Sequence, residues 1–439
     1  MGLWLLWRAG LIATCAAVSV PAKAQPPAPC TAPAAWFPHS TTPEQNSAGF
    51  PANPNNCDFH QWAWNAFLWL TQDVKGQPRF LRFPADGIET KPGILNALIG
   101  RSAKARTLEI VQQAGPDGIM VDLQGRAIYY SIHSNSTFGD FIKQNRLLDP
   151  AKLRAFDPDK SFPVNTLTLK AAWKVVAAGE DVSTFYTRAA RIALLTSRND
   201  KIVLSRRTRP VKVALVGFHI AGAVNGHPEM IWATFEHVRN APDLPKAMND
   251  MAPDEAVSEQ GWTFYKANTP FRDCNVNSAG AGALKLDEAR QTLSPVTQVC
   301  RIVPFGGGRP SNVDNIKSLN ASVHSQLKDV FNNYFEVGAI WFNASNALKP
   351  NCTFQPGSLE CPAQAGTPLL TGSTALSNTT VETFTQAQSA QNNCFACHNT
   401  VQVTSPNTTA PSLPGLNVDI SHVLINKYFA AASKSKPKR

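Results

Sequence analysis

Beyond its first two dozen residues the chain has no apolar run near the ~18 residues that a membrane-spanning helix needs, so nothing past the N-terminus reads as a membrane span. No glycine-rich fingerprint follows a strand-like stretch. The triple glycine Gly306-Gly307-Gly308 runs into Arg309-Pro310 without a Lys-Ser/Thr pair, which excludes a phosphate-binding loop. No nucleic-acid-binding module is recognisable, so nucleic acid is not an expected partner. Methionine is scarce: there are five, and none follows Met251. What is present suits a folded protein. Of the 439 residues 43% are hydrophobic and 16% charged, whereas disorder calls for fewer apolar residues and more net charge. The length allows a large core and one to three domains.

The N-terminus reads as an export signal. Met1 to Trp7 is apolar, Arg8 follows, then the apolar stretch Leu11 to Val20 and the small-x-small pattern Ala22-Lys23-Ala24 before Gln25-Pro26-Pro27. We expect residues 1–24 to be a cleaved signal peptide and the product to be periplasmic; the alternative is an uncleaved anchor. Cleavage removes Arg8 and Lys23, so the formal charge falls from +10 to +8, and a mildly basic surface steers acidic partners or an anionic membrane face. Cysteine usage agrees with export. Of nine cysteines, Cys15 leaves with the signal and Cys394 and Cys397 belong to a motif. The six others form an even set, and nearest-neighbour pairing predicts disulfides Cys30–Cys57, Cys274–Cys300 and Cys352–Cys361.

The body is predicted as α+β: a mainly antiparallel, β-rich main domain over 25–350, a Pro/Gly/Ser/Thr linker over 351–380, and a C-terminal helical segment over 381–439 packed on the main domain. A helix is expected from Asp58, with Asp58 as N-cap and Gln61 completing a capping box, because Phe59, Trp62, Ala63, Ala66, Phe67 and Leu70 share a face. Strands are expected over Gly125–His133, Thr166–Val176, Val211–Ile220 and Met230–Val238, the last two joined by an Asn225-Gly226 turn. Helices are expected near Thr137–Leu148 and Asn320–Phe335, and Val381–Ala390 is expected to lead helically into the motif at Cys394.

That motif is Cys394-Phe-Ala-Cys397-His398. Two thiols three positions apart match the two vinyl groups of a haem, and the adjacent histidine then lies under the iron as its proximal ligand. Haem c is therefore the expected cofactor, held at Cys394, Cys397 and His398. A thioredoxin-like CxxC would follow a strand, whereas the polar stretch before Cys394 reads as helical. A zinc site would need further Cys or His at ligand spacing, and the next histidine is His422.

No methionine follows His398, and 41 residues remain, so the motif is not the core of a small self-sufficient cytochrome domain; the main domain must complete the pocket. The sixth ligand has four candidate sources. One is His422, expected on the first turn of a helix capped by Asp419. Others are His219 or His237 from the main domain, and an upstream methionine such as Met230. The last is none at all, leaving a five-coordinate iron. With a two-residue turn at Asn225-Gly226, His219 opposes Trp232, Glu236 lies on the same face, and His237 points to the other. A histidine near a carboxylate beside a haem is proton-transfer machinery, or else a satisfied buried pair.

The stretches Phe59-His-Gln-Trp-Ala-Trp-Asn-Ala-Phe-Leu-Trp-Leu70, Lys170-Ala-Ala-Trp-Lys174, Leu215-Val-Gly-Phe-His-Ile220 with Ile231-Trp-Ala-Thr-Phe-Glu-His-Val238, and Leu376-Ser-Asn-Thr-Thr-Val-Glu-Thr-Phe384 leading to Cys394–His398 carry a family resemblance. Spanning almost all of the mature chain, it resembles a group of exported bacterial proteins of the cytochrome c family. The resemblance implies haem binding and electron transfer, and it places His219 and the Glu236-His237 pair in a family motif. Where an aromatic residue is expected in that family, this chain has His422. The expected function is that of a periplasmic monohaem c-type cytochrome passing electrons to a redox partner protein. The alternative is a haem-dependent oxidoreductase, peroxidase- or oxygenase-like, with an open sixth iron position.

Overall fold

A computed structural model describes residues 29–39, 47–84, 107–108, 118–199, 201–279, 282–354, 369–386, 393–404 and 410–432. The expected signal peptide and the basic tail lie outside these. The architecture is α+β, with a largely antiparallel sheet and six helices among the described residues. In chain order the elements are α1 (Asn56–Thr71), β1 (Thr107–Leu108), β2 (Tyr129–Ser134), α2 (Ser136–Gln144), α3 (Pro150–Arg154), β3 (Leu167–Val175), β4 (Thr187–Arg198), β5 (Lys201–Val224), β6 (His227–His237), β7 (Lys285–Asp287), β8 (Thr292–Ser294), α4 (Pro310–Gln326), β9 (Tyr334–Phe342), β10 (Leu370–Gly372), α5 (Cys394–Cys397) and α6 (Val423–Ala432). Eight strands make the main sheet, in the order β1-β4-β5-β6-β9-β10, with β3 on the other edge of β5 and β2 outside β3. Strand β5 is long enough to pair β4 at one end and β3 and β6 at the other. Only β1 with β4 is parallel. No helix among the described residues is long and apolar enough to cross a membrane.

The two faces of the sheet are covered differently. Leu169, Ala171, Phe218, Ile220, Ala233, Phe235 and Ala339 point to α1 and α4 in one large apolar cluster. Aromatic packing dominates it: Phe67 stacks on Phe235 with ring centroids 4.3 Å apart, and Phe59 on Trp341 at 4.0 Å. The opposite face carries Ala221, Trp232, Ile340 and Phe342, which join Phe395, Leu413, Leu416, Val418, Ile420 and Leu424 of the C-terminal chain in a second cluster. Close approach on this face depends on glycine. A Cβ at Gly217 would lie 2.2 Å from the Thr380 hydroxyl, and one at Gly338 2.3 Å from that of Ser373.

Several boundaries differ from expectation for local reasons. The N-cap of α1 is Asn55, not Asp58: Asn55 sits in extended backbone and accepts from the N–H groups of Cys57 and Asp58, and Asp58 accepts in return from the Asn55 N–H at 2.8 Å. The helix expected over Asn320–Phe335 instead starts at Pro310, whose fixed φ suits a first helical position, and ends at Gln326, with Tyr334 already opening β9. Within the stretch expected as a linker, Leu370–Gly372 pairs with β9 and Ser373, Asn378, Thr379 and Thr380 are fully buried. Ahead of the motif, Thr383–Thr385 forms a single 3-10 turn and 387–392 lie outside the described residues. The disulfides Cys30–Cys57 and Cys274–Cys300 are formed, with Cα atoms 5.6 and 5.8 Å apart. Cys352 is disulfide-bonded too, while Cys361 lies outside the described residues.

Candidate haem-attachment site

The cysteine motif occupies the single turn α5. Asn393 caps it, accepting from the Phe395 N–H at 3.0 Å and donating from its side chain to the Thr374 carbonyl at 3.0 Å. Phe395 is fully buried and packs on Phe342 (4.9 Å) and Trp232 (6.3 Å), which fixes the turn to the sheet. Burying that one side chain between the thiols leaves Cys394 half-buried and Cys397 exposed, and neither is in a disulfide. Burial, and then the negative Glu382, push both thiols up. They are held as protonated, unpaired thiols one helical turn apart.

His398 follows with its backbone N–H on the Cys394 carbonyl at 2.8 Å. Its ring lies between Trp232, 4.1 Å away and tilted by 34°, and His422, 4.2 Å away and tilted by 24°. Ring atom Nδ1 is 2.8 Å from the Ile420 carbonyl. A carbonyl only accepts, so Nδ1 carries the proton, and the lone pair is left on Nε2. Burial, followed by the field of His422, lowers this imidazole well below its ordinary range against the opposing pull of Ile420; Lys170 and His219 lower it further. The side chain is thus a neutral imidazole in a fixed tautomer. That is the state a metal ligand needs, oriented by the kind of second hydrogen bond that metal-bound histidines make.

His422 is brought to the site, but not as expected. Asp419 accepts from the Leu416 N–H at 3.0 Å and closes the turn Asn417–Ser421; its burial raises the carboxyl to about 8. His422 then sits between that turn and α6 with φ 57°, in the left-handed region, instead of on the first turn of a helix. Its ring overlaps His398 face to face. In this arrangement His422 flanks the His398 ring.

The central hairpin keeps the expected face with a changed register. Val224 opposes His227, but three residues of β6 (Pro228, Glu229 and Met230, the last with φ 70°) lie against one of β5, so Gly222 opposes Ile231. His219 accordingly pairs with Thr234, not Trp232, and Trp232 with Ala221. The net slip is two, an even number, so His219, Trp232 and Glu236 still share a face. Glu236 is nevertheless not the partner of His219. It is fully buried against Arg301 (3.2 Å), Asn240 (3.3 Å) and the Thr379 hydroxyl. The carboxylate at His219 is Glu382, 3.1 Å from Nε2.

The other candidates are otherwise engaged. Both ring nitrogens of His237 are used, Nε2 donating to the Thr184 carbonyl (3.0 Å) and Nδ1 accepting from the Arg239 N–H (3.1 Å), with the ring on Phe185 at 3.6 Å. Met230 is fully buried in the second cluster, and the Met120 sulfur accepts from the Thr383 hydroxyl at 3.4 Å. Among the described residues no three His, Cys, Asp or Glu side chains are grouped to hold a bare metal ion.

Two members of the neighbourhood are not among the expected site residues. Lys170 lies directly across from His219 in the β3–β5 register, and Glu382 stands twelve residues before Cys394. Their signal is present: Lys170 is one of two lysines inside the alternating strand Leu167–Val175, and Glu382 is the single acid in the stretch before the motif. The chain matches no family model, no curated protein and no solved structure.

Proposed function

We propose that this chain is an exported monohaem c-type cytochrome that transfers electrons in the periplasm. One observation carries the reading: His398, directly after two unpaired thiols on one turn, is held by Ile420 as a neutral imidazole with Nε2 left for a metal. The residues fit the group. Cys394 and Cys397 would hold the haem through thioether bonds and His398 would ligate its iron. A bound haem supplies one-electron iron chemistry, and the potential follows axial ligation and burial. The chain's own work is to orient His398 between Trp232 and His422, to bury the Cys394 side of the turn on the sheet, and to leave Cys397 near solvent. The disulfides Cys30–Cys57 and Cys274–Cys300 agree with an oxidising compartment. The excess of basic residues favours an acidic redox partner protein.

The test is to express the full chain with c-type maturation machinery and to follow haem through denaturation. Haem that stays with the chain and gives a c-type pyridine spectrum supports the reading; a chain without covalent haem contradicts it. His422 serves as a distal ligand only if its ring leaves the stack on His398, and an unchanged spectrum in His422→Ala removes it from that role.

A further inference from the structure

Several histidines of the described chain have ring nitrogens committed. His60 is held by Glu336 and Asn312, His227 contacts Glu229, His39 bonds Asp329 and the Leu68 carbonyl, and His237 is bonded at both nitrogens. His219 is different. Its Nε2 lies 3.1 Å from Glu382, yet out of line for a hydrogen bond, and it is buried without a bonded partner. Lys170, its direct cross-strand neighbour, is half-buried and has no ion pair or hydrogen bond within reach among the described residues; its ammonium lies 5.4 Å over the Tyr130 ring. Unused donors on partly buried polar side chains are costly unless something completes them.

Both side chains leave the sheet on the face that carries Trp232, against which His398 packs. The third member is fixed in place. Glu382 accepts from the Asn378 N–H at 3.0 Å, and Asn378 is itself anchored on β6 through the Thr234 hydroxyl (2.8 Å) and the Phe235 carbonyl (3.0 Å). Burial would raise the Glu382 carboxyl, but His219, Lys170 and the Asn378 N–H hold it below the usual range, so it is an ionised carboxylate beside Lys170 and His219. The group adjoins the cysteine motif electrostatically: Lys170 and His219 act on His398, and Glu382 on Cys394 and Cys397.

We infer that Lys170 and His219, positioned by Glu382, form a donor wall that holds a small anionic ligand at the haem, of the class of azide, cyanide or nitrite. This rests on the haem reading above. It assigns the cluster to ligand binding, which a carrier with a closed iron does not need. Lys170 supplies charge and His219 a directed N–H; Glu382 keeps His219 oriented and is a positioning residue.

The experiment uses the haem-loaded full chain, with azide as the probe and the Soret band of the ferric protein as the readout. Each sample is first checked for covalent haem by its pyridine spectrum. We expect azide to shift the wild-type band, and Lys170→Met and His219→Gln each to weaken binding at least about tenfold, the usual loss for a charge-assisted hydrogen bond. Lys170→Arg should retain most of the affinity. Three results overturn the inference while the haem reading stands: no azide shift in wild type, unchanged affinity in both loss variants, or tighter binding in His219→Gln, which would make His219 an iron ligand. Absence of covalent haem from wild type overturns both readings.

Discussion

The two faces of the central sheet each carry a histidine paired with a glutamate, and the pairs are built for opposite ends. On the α1 side His60 and Glu336 are fully buried. The His60 Nδ1 is 2.7 Å from Glu336 and Nε2 is 2.9 Å from Asn312, which in turn donates to Ser373 at 3.2 Å. Every ring nitrogen is used. On the side of the cysteine motif His219 and Glu382 are partly exposed, at 15% and 22%, meet out of line, and have an unpaired lysine beside them. The first pair joins α1, α4 and β9. The second has capacity left over. A histidine–carboxylate pair therefore identifies a site only when its hydrogen bonding is counted.

The largest effect should come from the thiols. Replacing Cys394 and Cys397 together by serine abolishes covalent haem while leaving far-UV circular dichroism unchanged, because neither sulfur is in a disulfide and the packing of the turn resides in Phe395. Haem persisting through denaturation in that variant would separate attachment from this turn.

Next is the fully buried pair. Glu336→Leu leaves His60 without its acid in a fully buried setting, and loss of one partner of a buried pair costs about 3–5 kcal/mol. Denaturant unfolding should show that loss with haem content per folded chain unchanged. Burial alone would lower His60, but Glu336 raises it above its ordinary value. The folded chain then holds that proton more tightly than the unfolded chain. The contribution of His60 is complete below its unfolded pKa, about 6.5, and is lost as pH rises through the higher folded value. His60→Gln should remove this alkaline loss.

His237 has the opposite sign. Burial lowers it to about 4, against the Thr184 carbonyl. Between about 6.5 and about 4 the unfolded chain takes up a proton that the folded chain refuses, so stability present above this window is lost as pH falls through it, on the order of 3 kcal/mol. His237→Gln should flatten the acid limb of a stability–pH curve; an unchanged limb would put the acid sensitivity elsewhere.

The smallest effect sharpens the comparison most. Glu382→Gln should cost under about 1 kcal/mol of stability, as for a partly exposed ion pair, while it weakens azide binding. A loss as large as that of Glu336→Leu would make the two pairs equivalent and remove the distinction.

The sequence made some of this legible and hid the rest for physical reasons. Alternation located the strands around Trp173, His219 and Trp232, because one face of each strand is buried. Alternation gives the face of His219 but not its partner, since a slip of two residues at Pro228–Met230 keeps the parity. Glu236 was the nearer carboxylate in sequence, but Arg301, 65 residues on, occupies it. Glu382 reaches His219 only because Gly217 and Gly338 let the segment from Ser373 to Thr380 lie close on the sheet. Proximity of that kind leaves no periodic signal. The start of α4 was missed because its polar face around Asp314 and Lys317 masks Val313, Ile316, Leu319 and Val323.

The most direct measurement is the intact mass of the full chain purified after expression with c-type maturation machinery, compared with that of the Cys394→Ser, Cys397→Ser double variant. One covalent haem is expected on the wild-type chain and none on the variant. A wild-type chain carrying no haem, or equal haem on both, would contradict this.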